Sequence, residues 1–217
     1  MKKLVIFDLD GTLLNTIADL GNAVNYALAK MNFATHPLPA YNYMVGNGVR
    51  KLMERAAPDA DPETLDQLLQ HFREYYDEHC TDLTEPYPGM PELLETLHCK
   101  GVKIAVASNK YMSAAKKIVT HYFPRIPFVT IMGETPEIPK KPDPSVVFAI
   151  LGECPTPKED AMMVGDSAVD METARRACID SVGVTWGFRP VSELRSAYAD
   201  YIVSDPAEIL KLAGVEI

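Results

Sequence analysis

Five short runs of nearly unbroken apolar residues recur along this 217-residue chain, at 3–7, 102–107, 127–131, 161–164 and 181–184. Tyr201-Ile202-Val203 is a sixth candidate. Continuous rather than alternating hydrophobicity is what strands need when both faces of their sheet are covered, as in parallel sheets. Helical patterns fall between them, at about 90–100, 111–121, 144–151, 168–177 and 205–213. Two helix starts are marked by an N-cap, a Pro and a Glu three residues on: Thr156-Pro157-x-Glu159 and Asp205-Pro206-x-Glu208. Alternating strands and helices predict an α/β fold, a Rossmann-like doubly wound parallel sheet.

One stretch breaks the rhythm. Roughly 95 residues separate the first two strand runs, far more than an ordinary crossover requires. Ile17, Leu20, Val24, Ala27, Leu28 and Met31 share one helical stripe. Leu65, Leu68, Leu69, Phe72, Tyr75 or Tyr76 and His79 form another, after an Asp61-Pro62 start. The expected division is a core of residues 1–15 and 83–217, with an all-α domain of residues 16–82 inserted after the first strand.

Composition narrows the partners. The formal net charge of −9 argues against a broad basic face for nucleic acid. No apolar run approaches the roughly 20 residues of a membrane span, and Asp8 and Asp10 interrupt the first run too early for a signal peptide. Cys80, Cys99, Cys154 and Cys178 lack the spacing of a disulfide or zinc framework. A cytoplasmic protein with reduced thiols is expected, monomer or dimer.

Four of the apolar runs lead into polar clusters. Asp8-Leu9-Asp10-Gly11-Thr12 places two mutually repelling carboxylates at a strand end, where ligands bind in open α/β sheets. A hard cation such as magnesium would offset that repulsion, and Thr12 offers a hydroxyl and an N–H to an oxyanion. A polar turn capping a strand uses the same residues. Ser108-Asn109-Lys110 suits phosphate oxygens, and also a helix N-cap. Lys140-Lys141-Pro142-Asp143-Pro144 frames a stiffened cation, or an exposed basic turn. Gly165-Asp166-Ser167-Ala168-Val169-Asp170 brings two carboxylates one helical turn apart, or an N-cap with a solvated partner. In a parallel sheet all four ends lie along one edge. Together they describe a carboxylate nucleophile, a metal and a phosphate cradle, the parts of phosphoryl transfer through an aspartyl-phosphate.

These motifs resemble, in order and over essentially the whole chain, those of the haloacid dehalogenase superfamily: Asp8-x-Asp10-Gly-Thr12, Ser108-Asn109, Lys141-Pro-x-Pro and Gly165-Asp166-Ser-x-x-Asp170. The resemblance implies that the helical insertion is an α-helical cap. It implies Asp8 as nucleophile and Asp10 as the acid/base. Thr12, Ser108, Asn109 and Lys141 would hold the phosphoryl group. Asp8, the Asp10 main-chain carbonyl and Asp166 would bind Mg2+, with Asp170 in the outer shell. Dehalogenases lack an Asp at the position of Asp10, so a phosphatase or phosphomutase is implied. Two features depart from the pattern. Leu14-Asn15-Thr16 stands where many relatives have an Asp-Ser pair, and Lys140 beside Lys141 leaves the lysine register open, although the Pro-x-Pro frame selects Lys141.

Within the insertion, Val45-Gly46-Asn47-Gly48-Val49-Arg50-Lys51-Leu52 sets a glycine-flanked turn before a helix start. Gly46, Asn47, Gly48 and Arg50 suit an anionic substrate tail, or form a plain αα-hairpin turn with solvated charges. The segment is similar to the cap loop of phosphoglycolate phosphatases. The expected activity is therefore Mg-dependent hydrolysis of a small-molecule phosphate monoester, phosphoglycolate or a similar small anionic phosphate. A β-phosphoglucomutase-like sugar phosphomutase and a phospho-acceptor signalling module are the competing readings.

Overall fold

Leu4-Val5-Ile6-Phe7 has no polar face, and as β1 (Leu4–Phe7) it is wholly buried at the middle of a six-stranded sheet. The structure, a computed structural model, describes residues 1–215. After β1 come the two-residue β2 (Leu14–Asn15), helices α1 (Ile17–Lys30), α2 (Val49–Ala56) and α3 (Pro62–His79), and the two-residue β3 (Glu85–Pro86). The chain then alternates through α4 (Met90–Cys99), β4 (Lys103–Tyr111), α5 (Met112–Tyr122), β5 (Thr130–Glu134), α6 (Ser145–Glu153) and β6 (Ala161–Gly165). It finishes with α7 (Ala168–Ala177), β7 (Asp180–Val184), α8 (Val191–Ser196), β8 (Tyr201–Val203) and α9 (Pro206–Leu212). The large sheet runs β5-β4-β1-β6-β7-β8, and every pair in it is parallel. This is the doubly wound α/β fold expected from the apolar runs.

Side-chain alternation along β1 feeds two separate cores. Val5 and Phe7 join the larger one, shared with α4, α5 and the helical insertion. Leu4 and Ile6 pack on the other face against Val146, Val147 and Ile150 of α6 and Ala174 and Ala177 of α7. Covering both faces removes water from the whole β1 backbone and leaves only its ends for chemistry.

The insertion stands on a narrow root. β2 and β3 pair antiparallel, Leu14 with Pro86 and Asn15 with Glu85, so the outgoing and returning chains touch. The buried Asp19 carboxylate ties this junction, accepting from Leu83 N (3.0 Å), Thr84 N (2.8 Å) and Thr84 Oγ1 (2.8 Å). α1 packs on α3 through Leu20, Val24, Ala27 and Leu28 against Leu65, Leu68 and Phe72. At the start of α3, Asp61 Oδ1 accepts from Thr64 N at 2.8 Å.

Three expectations are corrected. The run at 127–131 becomes β5 three residues later, because this edge strand takes its register from one neighbour: Ala105 pairs with Thr130. Thr156-Pro157 opens only a 3-10 turn at Lys158–Asp160, its hydroxyl donating back to Cys154 O (3.0 Å) instead of capping. β4 continues beyond residue 107 to Tyr111, so Ser108 and Asn109 do not begin a helix. By contrast, Asp205 and Glu208 form a full capping box at α9.

Tyr76 on α3 is fully buried and stacks on Phe72 with ring centroids 5.1 Å apart. Its hydroxyl has no hydrogen-bond partner among the described residues. Since an unpaired buried hydroxyl costs about 1–3 kcal/mol, Tyr76→Phe should leave stability unchanged or raise it. Tyr76→Ala, which opens a cavity, should cost about 3–5 kcal/mol. Denaturant midpoints check both, and a loss above about 1 kcal/mol for the Phe variant would contradict the unpaired hydroxyl.

Candidate active site

The register of the sheet brings the motifs together. Phe7 pairs with Val106 on one side and Val164 on the other, so Asp8 emerges beside the ends of β4 and β6. Between Ala107 and Tyr111 the β4–β5 register shifts, and this irregularity contains Ser108, Asn109 and Lys110. Such a bulge turns side chains out of the ladder. Ser108 Oγ accepts from Lys110 N at 3.2 Å.

Lys141 is buried, not part of an exposed turn. Its Nζ lies 2.9 Å from Asp8 Oδ1 and 2.7 Å from Asp170 Oδ1. Asn109 clamps the lysine's backbone, Oδ1 accepting from Lys141 N (2.9 Å) and Nδ2 donating to Lys141 O (3.0 Å). Lys140 turns instead to Glu134, at 2.8 Å. Asp170 also completes a capping box with Ser167 at the start of α7, accepting from Ser167 Oγ (2.7 Å) and N (3.2 Å). Asp166 Oδ2 accepts from Phe188 N at 2.7 Å.

Oxygens of Asp8, Asp166 and Asp170 lie within 4.8 Å of one another. Burial, then the charge of Asp170, pushes the Asp8 carboxyl up to about 7 against the opposing pull of Lys141. Burial and the neighbouring Asp170 and Asp8 raise Asp166 well above the carboxylate range. Burial alone would lower Lys141, but Asp170 and Asp8 hold its ammonium protonated above the ordinary lysine value.

The donor set fits a divalent cation. Ionised together, three carboxylates against one lysine would leave two negative charges to compensate, and all the donors are the oxygens that hard cations select. The cradle is also shaped around these groups. Gly11 has φ +85°, and a Cβ there would fall 2.4 Å from Asp166 Oδ2. At Gly165 it would fall 2.3 Å from Asp170 Cβ.

Asp10 does not touch the other carboxylates through its side chain. Lys110 Nζ donates to both its oxygens (2.9 and 3.1 Å), and Thr16 Oγ1 donates to Oδ1 (2.7 Å). Neither Lys110 nor Thr16 is among the residues that the motifs mark as catalytic or phosphate-binding. The signal for Lys110 was its position two residues after Ser108, the same-face spacing of a strand. Thr12 is fully buried, with its N–H donating to Leu9 O (3.3 Å), so that N–H does not serve an oxyanion as expected. Its hydroxyl has no partner among the described residues.

A cleft of about 400 Å³ opens over Asp8, Asp10 and Ser108, with Asn109 and Lys110 also on the core side. Leu20, Val45, Gly46, Gly48, Val49 and Leu52 of the insertion line its other side. Gly46 O accepts from Asn109 Nδ2 (3.0 Å), joining insertion and core directly. Arg50 and Asn47 lie elsewhere, which corrects their expected contact with substrate. Arg50 pairs with Asp66 on the exposed face at 2.6 Å, because α2 buries the Val49, Leu52 and Met53 stripe and turns Arg50 outward. Asn47 Oδ1 accepts from Arg55 Nη2 (2.8 Å). Besides Arg55, Arg189 lies against this turn, its Nη2 donating to Val45 O at 2.9 Å, although no motif contains it.

A sequence profile of the haloacid dehalogenase-like hydrolases matches residues 5–184. The phosphoglycolate phosphatase of Aquifex aeolicus is 34% identical, covering 97% of this chain and 96% of its own. That of Psychrobacter arcticus is 30% identical, over 93% and 96%. Among solved structures, a predicted phosphoglycolate phosphatase from Haemophilus somnus superposes with a TM-score of 0.89 at 28% identity, covering 97% of each chain. A predicted phosphatase from Clostridium acetobutylicum gives 0.87 at 28%, covering 98% of each. The chain belongs to the haloacid dehalogenase-like hydrolase family.

Proposed function

We propose that this chain is a Mg2+-dependent phosphatase that hydrolyses a small anionic phosphate monoester, phosphoglycolate or a close relative, through an aspartyl-phosphate on Asp8. Its relatives named phosphoglycolate phosphatase support a phosphoric monoester hydrolase. The observation that carries the mechanism is Asp8 held against buried Lys141 in the same cleft as Asp10 and Ser108. The insertion of residues 16–82 acts as a cap on a core of residues 1–15 and 83–217. The four cysteines, all unpaired, suit a reducing cytoplasm.

In this reading a carboxylate oxygen of Asp8 attacks phosphorus. The P–O ester bond breaks, its electron pair leaves with the alkoxide oxygen, and Asp10 gives that oxygen a proton. Asp10 then takes a proton from water, whose oxygen attacks the same phosphorus. The acyl-phosphate bond opens, freeing inorganic phosphate and restoring Asp8. Ser108 and Lys141 hold the phosphoryl oxygens, Lys141 from a backbone fixed by Asn109. Lys110 and Thr16 aim Asp10. Bound by Asp8, Asp166 and the Asp10 carbonyl, with Asp170 behind, Mg2+ would neutralise charge that builds on the transferring group.

Phosphate release should be measured across phosphoglycolate, sugar phosphates and neutral alkyl phosphates, with Mg2+ and with EDTA. Phosphoglycolate should be preferred, EDTA should abolish turnover, and Asp8→Asn should lose at least about 10³-fold in rate with an unchanged circular dichroism spectrum. Equal rates on sugar phosphates and phosphoglycolate would overturn the specificity. Near-normal turnover by Asp8→Asn would overturn the nucleophile.

Metal binding has a readout independent of turnover. At about 100-fold over its dissociation constant a ligand adds about 2.7 kcal/mol, so Mg2+ should raise Tm by roughly 5 °C or more for a chain of this size. Asp166→Asn should lose that increment, while its Tm without Mg2+ equals or exceeds the wild-type value, because burial and the neighbouring carboxylates oppose ionisation of Asp166 and that cost is gone. A retained Mg2+ shift in Asp166→Asn would remove Asp166 from the metal site.

A further inference from the structure

We propose that Lys110 is the specificity-determining residue of this cleft, recognising a carboxylate carried by the substrate close to its phosphoryl group. The proposal rests on the phosphatase reading above. With Arg50 turned outward to Asp66, the cation expected to receive an anionic tail is missing from the insertion side. Of the described residues lining the cleft, Lys110 alone brings a positive charge.

Its surroundings fit the task. The Lys110 side chain is only 2% exposed, so its ammonium sits where charge–charge contacts are weakly screened. Asp10 holds it at 2.9 and 3.1 Å, and the Tyr76 ring lies beneath it, 4.9 Å from Nζ to the centroid. An ammonium has three donors. Asp10 engages two through its two oxygens, which leaves one for a ligand oxygen. The facing wall of the insertion is apolar or glycine, from Val45, Gly46, Gly48, Val49 and Leu52, and the two cations that come close to its glycines, Lys140 and Arg189, are engaged by Glu134 and by Val45 O.

Geometry also limits the ligand. Asp8, Ser108 and Lys110 line one and the same cleft. A molecule with its phosphoryl group at Asp8 and its carboxylate on Lys110 must be short. A two-carbon acid ester of phosphate fits this, and a sugar phosphate does not present a carboxylate there. Because the same ammonium holds Asp10, a ligand oxygen on Lys110 lies beside the acid/base as well.

The test compares ligands that differ only in the carboxylate. Binding is measured by calorimetry with two non-hydrolysable probes, phosphonoacetate and ethylphosphonate, in the presence of Mg2+. Kinetics use phosphoglycolate and 2-hydroxyethyl phosphate. Wild type should favour the carboxylate-bearing member of each pair, and Lys110→Met should cut that preference roughly 10- to 100-fold, the range of one charge-assisted hydrogen bond. Loss of the Asp10 partner slows both substrates alike and so cancels in the ratio. Where Lys110→Met does not fold, the neutralised pair Lys110→Met with Asp10→Asn serves for the binding arm. No preference in wild-type binding, or a preference that survives Lys110→Met, would overturn the inference. A Lys110-dependent binding preference without turnover of any ester would instead sink the phosphatase reading and leave the recognition role standing.

Discussion

Oxygens of Asp8, Asp166 and Asp170 meet within 4.8 Å of one another, almost out of reach of water. Burial and mutual repulsion both oppose their ionisation, and an unpaired buried charge costs several kcal/mol. Much of the surrounding architecture reads as an answer to that conflict. Lys141 bridges Asp8 and Asp170, and Asn109 fixes the lysine's backbone from the neighbouring strand. Ser167 holds the far oxygen of Asp170 as part of a helix cap. Gly11 and Gly165 leave room that a Cβ would take. Ionised together, the three carboxyls carry two negative charges beyond the one that Lys141 offsets, and the sheet around them holds them in place.

Sheet topology decides where this conflict can be tolerated. β1 is buried on both faces and flanked by β4 and β6, so its C-terminal end is the point where three strand ends converge. The helical insertion lies against it through a shared apolar cluster and through specific bonds, among them Asn109 to Gly46 O, Arg189 to Val45 O, Tyr111 OH to Asp77 and the Asp19 clamp at the root. Asn109 therefore serves two positions with one amide, the catalytic-edge lysine and the insertion turn. The insertion turn and the backbone of Lys141 are thus joined through a single side chain. A site that excludes water strengthens every charge contact within it.

Much of this was legible in the residues because it depended on local pattern. The runs that became β1 and β6 have no polar residue, and each strand is paired on both sides. Helix starts were legible where the cap residue acts on its own backbone, as at Asp61 and Asp205. Thr156 carries the same signature without capping a helix: its hydroxyl donates to Cys154 O, and the 3-10 turn that follows begins after Pro157, which has no side-chain acceptor. Positions set by a neighbour were not legible. The extension of β4 through Ser108–Tyr111 depends on pairing with Glu134 of β5, and β5 depends on β4 in turn. Arg50 was assigned from its charge and its nearness to glycines, but the direction it faces follows from which stripe of α2 is apolar. The Arg189–Val45 bond joins residues 144 positions apart, and nothing in either segment announces the other.

The acidic balance of the chain acquires a more particular meaning in this light. A net charge of −9 repels anions at long range, but at physiological salt that field is screened beyond about 8 Å. Discrimination must then occur by contact, inside the cleft. Both cations close to the reacting groups, Lys110 and Lys141, are buried and bound to carboxylates of the site itself. A lysine so held is pre-positioned, losing little side-chain freedom when a ligand arrives. It is also no magnet for unrelated anions, since its charge is already matched. Only a ligand that fits the cleft and brings a charge to each lysine gains from both. On the proposed reading, selectivity for a small, doubly anionic molecule would follow from cations that are hidden and paired, in a chain of net negative charge.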